Sequence, residues 1–130
     1  MNGVLLDTHV WAWSLIKPRQ LSTDAAAAIN SAQNVCVSTI SLFEIAQKVR
    51  LGKWDEMAPF VDDLLDLADE QQITLVSVSS AISLAAAQLD WAHRDPFDRI
   101  ICATAVVENH TLISSDGAFA SLGSVLTRVW

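Results

Sequence analysis

Asp7, Glu44, Asp98 and Asp116 are the residues of this 130-residue chain whose type and placement could do chemistry together. Each has an ordinary structural explanation. Asp7 follows the apolar run Val4-Leu5-Leu6 and can cap the helix after it. Glu44 stands three residues after Ser41, a capping-box spacing. Asp98 falls in the first turn of a helix, where a carboxylate suits the dipole, and Asp116 precedes Gly117, as in ordinary turns. They also share a position. Asp7 and Asp116 end expected strands, Glu44 sits about one turn into a helix that follows a strand, and Asp98 starts a helix that leads into one. In right-handed βαβ units, helix N-termini lie at the carboxyl edge of the sheet, so all four acids are expected on that edge. Open α/β folds place their ligands there. Four carboxylates gathered in one place repel one another unless a cation joins them. Hard oxygen ligands suit Mg²⁺ or Mn²⁺, and a carboxylate-held metal can activate a water and stabilise the leaving oxygen in phosphodiester cleavage.

The elements that must position these acids follow from short apolar runs and their stops. Val4-Leu5-Leu6, Val35-Cys36-Val37, Ile73 to Val78, Leu112-Ile113 and Val125 to Trp130 are expected as strands. Helices are expected over His9 to Ile16, stopped by Pro18, and from a Ser22 cap through Ala32. Others are expected over Ser41 to Leu51, with Gly52 as stop, Pro59 to Gln72, Ser80 to His93, and Asp98 to Asn109. Strands alternating with helices imply an α/β fold: a three-layer α/β/α sandwich around a mostly parallel sheet. The length fits a single domain, residues 1-130.

Composition narrows the function. The net charge of −7 argues against a nonspecific nucleic-acid binder. Seven of the fifteen acids fall between Asp55 and Glu70, and the remaining eight are matched by eight bases, so a locally basic region can coexist with an acidic flank. No run is long and apolar enough for a membrane span, and MNGVLLDTHVWAW does not read as a signal peptide. Cys36 and Cys102 are isolated in apolar surroundings and read as reduced core thiols, which fits a cytoplasmic protein. There is no GxSxG, GxGxxG or GxxxxGKS/T motif. His9, His93 and His110 lack metal-ligand spacing and are expected in surface or capping roles. The five tryptophans read mainly as core or interface residues. Trp11 and Trp54 are the candidates for more.

Four blocks, in order and with these spacings, resemble the PIN-domain family, and within it the VapC-type toxins of bacterial toxin–antitoxin pairs. They are Leu5-Leu6-Asp7-Thr8-His9, Ser41-Leu42-Phe43-Glu44-Ile45-Ala46 continuing through Lys48 to Lys53, His93-Arg94-Asp95-Pro96-Phe97-Asp98-Arg99, and Leu112-Ile113-Ser114-Ser115-Asp116. The resemblance spans essentially the whole chain. It implies a PIN-like fold and an acidic Mg²⁺ site at Asp7, Glu44, Asp98 and Asp116, with Asp7 and Asp98 closest to the ion. Thr8 and Ser115 match hydroxyl positions beside the acids, and Asp95 is an additional nearby acid. It further implies RNA cleavage, a VapB-type antitoxin that holds the enzyme inactive, and a homodimer. An apolar content of 52% with five tryptophans also suggests an uncovered apolar face. Trp11 to Ile16 and Val49 to Trp54 are the segments expected to form it.

Two other readings compete. A receiver or haloacid-dehalogenase-like phosphotransfer domain also sets Asp and Mg²⁺ at strand ends. The phosphatase motif, however, needs an Asp where His9 stands, and both need a late lysine, whereas none follows Lys53. A binding module that kept the fold without catalysis is the other, and the presence of all four acids argues against it.

Overall fold

Five short strands among the described residues meet in one parallel sheet. The computed structural model describes residues 3–130. Met1 and Asn2, which begin the segment read for a signal peptide, lie outside the described residues. The strands are β1 (Gly3–Leu6), β2 (Asn34–Ser38), β3 (Thr74–Val76), β4 (Thr111–Ile113) and β5 (Arg128–Val129), in the spatial order β3-β2-β1-β4-β5. All four pairings are parallel. The chain winds outward from β1 to β3, then returns on the other side of β1 to form β4 and β5. The winding direction therefore reverses between β1 and β4, and this opens a crevice at their carboxyl ends.

The sheet is covered on both faces. Alternation along β1 sends Val4 and Leu6 to one face, with Val37 and Ile113 of the neighbouring strands. There they meet α1 (Thr8–Ile16), α2 (Thr23–Ser31), α3 (Thr39–Arg50) and α4 (Leu64–Glu70) through Trp11, Ala25, Ile45 and Leu64. Leu5, Cys36 and Leu112 point the other way, against α6 (Pro96–Val107) and the 3₁₀ turn Gly117–Leu122. The helix α5 (Ser80–Gln88) packs on α6 through Ile82, Ala86 and Ala103. The result is an α/β/α sandwich. Both cysteines are buried and free, and burial pushes the Cys102 thiol up to about 11. No helix among the described residues is long and apolar enough to cross a membrane.

Several boundaries differ from the sequence expectation. The stretch expected as one helix from Pro59 to Gln72 is a 3₁₀ segment, Asp55–Asp63, continuing into α4. Pro59 lies inside that segment and removes a backbone donor, and an apolar stripe does not distinguish three residues per turn from 3.6. The true cap of α3 is Ser38, whose Oγ accepts from Ile40 N, so Ser41 and Glu44 form no capping box. Asp95 rather than Asp98 begins α6, accepting from Phe97 N and Asp98 N. Gly52, at φ +71°, ends α3 as expected. The helix expected to run on to His93 stops at Gln88, and the last strand shrinks to Arg128–Val129.

Candidate active site

The four acids reach one cleft of about 370 Å³ at the carboxyl edge of the sheet. Asp7 leaves β1 and caps α1, its Oδ1 accepting from Thr8 N at 2.8 Å. Asp116 leaves β4 and caps the following 3₁₀ turn through Ala118 N. These two flank the crevice between β1 and β4. Glu44 enters from the second turn of α3 and Asp98 from the first turn of α6. Asp95 and Ser115 line the same cleft. The cap and cleft roles therefore coincide at Asp7 and Asp116, and the cap reading fails only for Glu44.

A buried hydroxyl frame fixes the acids. Ser114 Oγ donates to Asp7 Oδ2 at 2.7 Å and accepts from Asp116 N at 3.0 Å, so one side chain ties both strand-end acids together. Thr8 Oγ1 and Ser41 Oγ lie 2.8 Å apart and lock α1 to α3. Asp7 and Glu44 are only 8% and 6% exposed. Glu44 accepts from Lys48 Nζ at 2.7 Å, and Lys48 is the one cation among the residues lining the cleft. Asp98 Oδ2 pairs with His93 Nε2, also at 2.7 Å.

The fold places two histidines and a tryptophan differently from the sequence expectation, while His9 is at the surface as expected. His93 is a partner of an acid in the cleft rather than a surface or capping group. His9 is exposed but stacked on Trp54. His110 is half-buried, with its Nε2 3.5 Å from Cys36 Sγ and its Nδ1 buried without a partner. It packs so closely on Gly3 that a Cβ there would fall 2.2 Å from the ring. Trp11 is fully buried, its Nε1 donating to Gln71 Oε1, so it forms no groove. The exposed large apolar side chains include Phe43, Leu51, Leu65, Leu84 and Val125, and of these only Leu51 lies in a segment expected to form the apolar face. Ser114, Lys48 and His93 were not singled out as site residues in the sequence. Only Lys48 carried a signal, an i,i+4 spacing from Glu44 that suits a helix ion pair.

The electrostatics are those of a site short of positive charge. Burial raises the Asp7 carboxyl above its ordinary value, partly offset by the bonds from Ser114 and Thr8, while Glu44 adds repulsion. Asp98 is pushed up to about 6, first by burial, against the lowering by His93, with Asp7, Asp95 and Asp116 adding repulsion. A carboxyl whose folded pKa lies above its ordinary 3.8 favours the fold in its protonated form. Its contribution is fully present below that ordinary value and is lost as pH rises through about 6. Metal-free protein should therefore lose up to about 3 kcal/mol on Asp98's account between acid and neutral pH. Asp98→Asn should gain stability relative to wild type over the same interval, read from urea midpoints. A difference that stays flat with pH would show that Asp98 is not held in this way.

The donor set fits a hard divalent cation. The carboxylates of Asp7, Glu44, Asp98 and Asp116 offer only oxygen, and each engaged oxygen keeps a further lone pair. Among the described residues, the group of three whose donor atoms lie within 4.8 Å of one another is His93, Asp95 and Asp98, so of the four acids only Asp98 belongs to it. An ion would relieve the repulsion that raises Asp7 and Asp98.

Comparison with known proteins agrees with this architecture. The PIN domain model matches residues 4–124. The chain is 32% identical over 117 residues to Ribonuclease VapC22 of Mycobacterium tuberculosis, covering 89% of this chain and 88% of that protein. The DNA-bound VapBC structure from Salmonella typhimurium superposes with a TM-score of 0.72 at 14% identity, covering 99% of this chain and 98% of its counterpart. VapBC2 from Rickettsia felis, bound to a promoter DNA fragment, gives 0.69 at 16% identity, covering 98% and 97%. These two structures share the fold. With the family model matching nearly all of its length, the chain belongs to the PIN-domain family.

Proposed function

We propose that this chain is a Mg²⁺-dependent ribonuclease, with Mn²⁺ as a possible substitute, and the toxin of a toxin–antitoxin pair. The observation that carries the reading is the convergence of Asp7, Glu44, Asp98 and Asp116 on the crevice between β1 and β4. Support comes from a relative named as a ribonuclease and from structural neighbours that are toxin–antitoxin complexes. Asp7 and Asp98 would hold the ion most directly, with Glu44 and Asp116 as further ligands. When bound, the ion supplies activation of water and charge neutralisation at the leaving oxygen. The protein's own groups orient that chemistry. Ser114 and Thr8 N hold the Asp7 carboxylate, His93 holds Asp98, and Asp95 and Ser115 form the rim. Lys48 lines the cleft while paired with Glu44, and its charge offsets part of the repulsion between RNA and an acidic chain. In hydrolysis, the water oxygen bonds to phosphorus and gives up one proton, the bridging P–O bond breaks, and the leaving sugar oxygen takes up one proton, so the protons balance.

Residues 1-130 would form a single cytoplasmic domain that works as a homodimer. A VapB-type antitoxin would block the cleft with an apolar helix and an Arg or Lys set among the carboxylates. Purified protein should cut RNA with Mg²⁺ or Mn²⁺ and stop in EDTA. Co-expression with a neighbouring antitoxin gene product should give a complex that no longer cuts. Cleavage that persists in excess chelator would overturn the metal dependence, and a complex that cuts at full rate would overturn the inhibition.

A further inference from the structure

The cleft has a second wall that the acids do not explain. His9 and Trp13 both line it, four residues apart on one face of α1. The imidazole of His9 lies on the indole of Trp54, with centroids 4.6 Å apart and planes at 26°. Trp13 tilts against His9 at 5.9 Å and against Trp130 at 5.7 Å. Lys48 Nζ lies 5.6 Å from the centre of the Trp54 ring while it holds Glu44. Trp11, two residues before Trp13, is wholly core, whereas His9 is exposed and Trp13 only half-buried.

His9 and Trp13 stand half-open beside buried carboxylates, in front of Trp54 and Trp130, which pack on the core, and their rings match what a nucleotide presents. A phosphate and its base belong to one residue of the polymer. A strand with its phosphodiester over the acids must therefore lay a neighbouring base across the adjoining surface, here aromatic. Aromatic side chains take bases by stacking, and every base offers a face. Resting on the ribonuclease reading above, we propose that His9 and Trp13 form a base-stacking subsite for the nucleotide flanking the scissile phosphate. This subsite sets the register of the bound strand over the acids. Because the wall offers ring faces more than hydrogen-bond donors, it favours purines over pyrimidines by stacking area and does not read one base strictly.

The test separates this subsite from the ribonuclease reading. The cut position is first mapped with wild-type protein on unpaired hexaribonucleotides. Binding of the same hexamers is then measured on Asp98→Asn protein with Mg²⁺, by fluorescence anisotropy. Adding Trp13→Ala or His9→Ala should weaken binding by about 5- to 100-fold, and Trp13→Phe should restore most of it. A hexamer abasic at the flanking position should bind weakly with Trp13 present and no more weakly with Trp13→Ala, because both changes remove the same contact. Full additivity of the two losses, or binding within about twofold of the parent by both alanine variants, overturns the subsite. Should Trp13→Ala fail to fold, the exposed His9 decides the matter alone. Wild-type protein that cuts no RNA defeats the ribonuclease reading instead. Hexamers made abasic at each position in turn then decide the subsite by binding.

Discussion

Asp98→Asn and Asp7→Asn should each lower RNA cleavage by more than about 100-fold, since even groups that merely support metal ligands cost about 10- to 100-fold when removed. Both changes keep side-chain volume and one acceptor oxygen, so they test charge rather than packing. Asp7→Asn keeps one acceptor oxygen, which can serve Thr8 N or Ser114 Oγ but not each through its own oxygen as in the wild type. Asp98→Asn keeps the first turn of α6, because the cap there is Asp95. Without metal, both variants should be as stable as wild type or somewhat more so, since each removes a charge that burial and its neighbours disfavour. With saturating Mg²⁺, wild type should gain stability through binding to the folded state, and the variants should gain less. Asp24→Asn, an exposed position on α2 away from the cleft, serves as control and should leave the rate unchanged. Either cleft variant cutting at the wild-type rate would remove that acid from the chemistry. A loss of several kcal/mol without metal would make the residue a structural group first.

The parts of this site that could be read in the sequence are those set by local rules. A strand buried on both faces is a short apolar run, and an acid at its end is visible as such, so Asp7 after Leu6 and Asp116 after Ile113 stood out. Right-handed crossover chirality then put Glu44 and Asp98 on the same edge without any contact being known. What could not be read depends on helix phase and tertiary partners. The helix α1, THVWAWSLI, is apolar almost all round, so its pattern does not say which tryptophan faces the core. Trp11 was expected at the groove and lies in the core, while Trp13 lines the cleft. His93 precedes Asp98 by five residues, across a turn whose path no local pattern sets, yet its Nε2 meets the carboxylate. Ser114, which carries no signal of its own beside Ser115, becomes the link between two acids only because β1 and β4 are neighbours.

Arg99 shows the same limit most sharply, and it carries the second large prediction. In the sequence it is one of eight bases, but in the structure none of its nitrogens is left over. Its Nε donates to Ala86 O, its Nη1 to Trp91 O and His93 O, and its Nη2 to Ala87 O and Leu89 O. These carbonyls belong to the end of α5 and the turn after it. That end has no basic residue in its last turn, and its cap, Leu89, has extended backbone with no glycine beyond it. Nothing local stops the helix, and a guanidinium from α6 does. Arg99→Ala would leave five carbonyls without their charged donor, some of them away from water. With charge-assisted bonds contributing about 1.5–3 kcal/mol each and water recovering part, the net loss should be roughly 3–4 kcal/mol. A urea midpoint should show it clearly. Arg99→Lys should recover only a fraction, because an ammonium lacks the planar fork that reaches both ends of the turn. The turn also carries His93, so the variant should lose cleavage beyond its unfolded fraction, as Asp98 loses the imidazole that holds it. A midpoint within about 0.5 kcal/mol of wild type would mean that water replaces the guanidinium, and that α5 ends where it does for another reason.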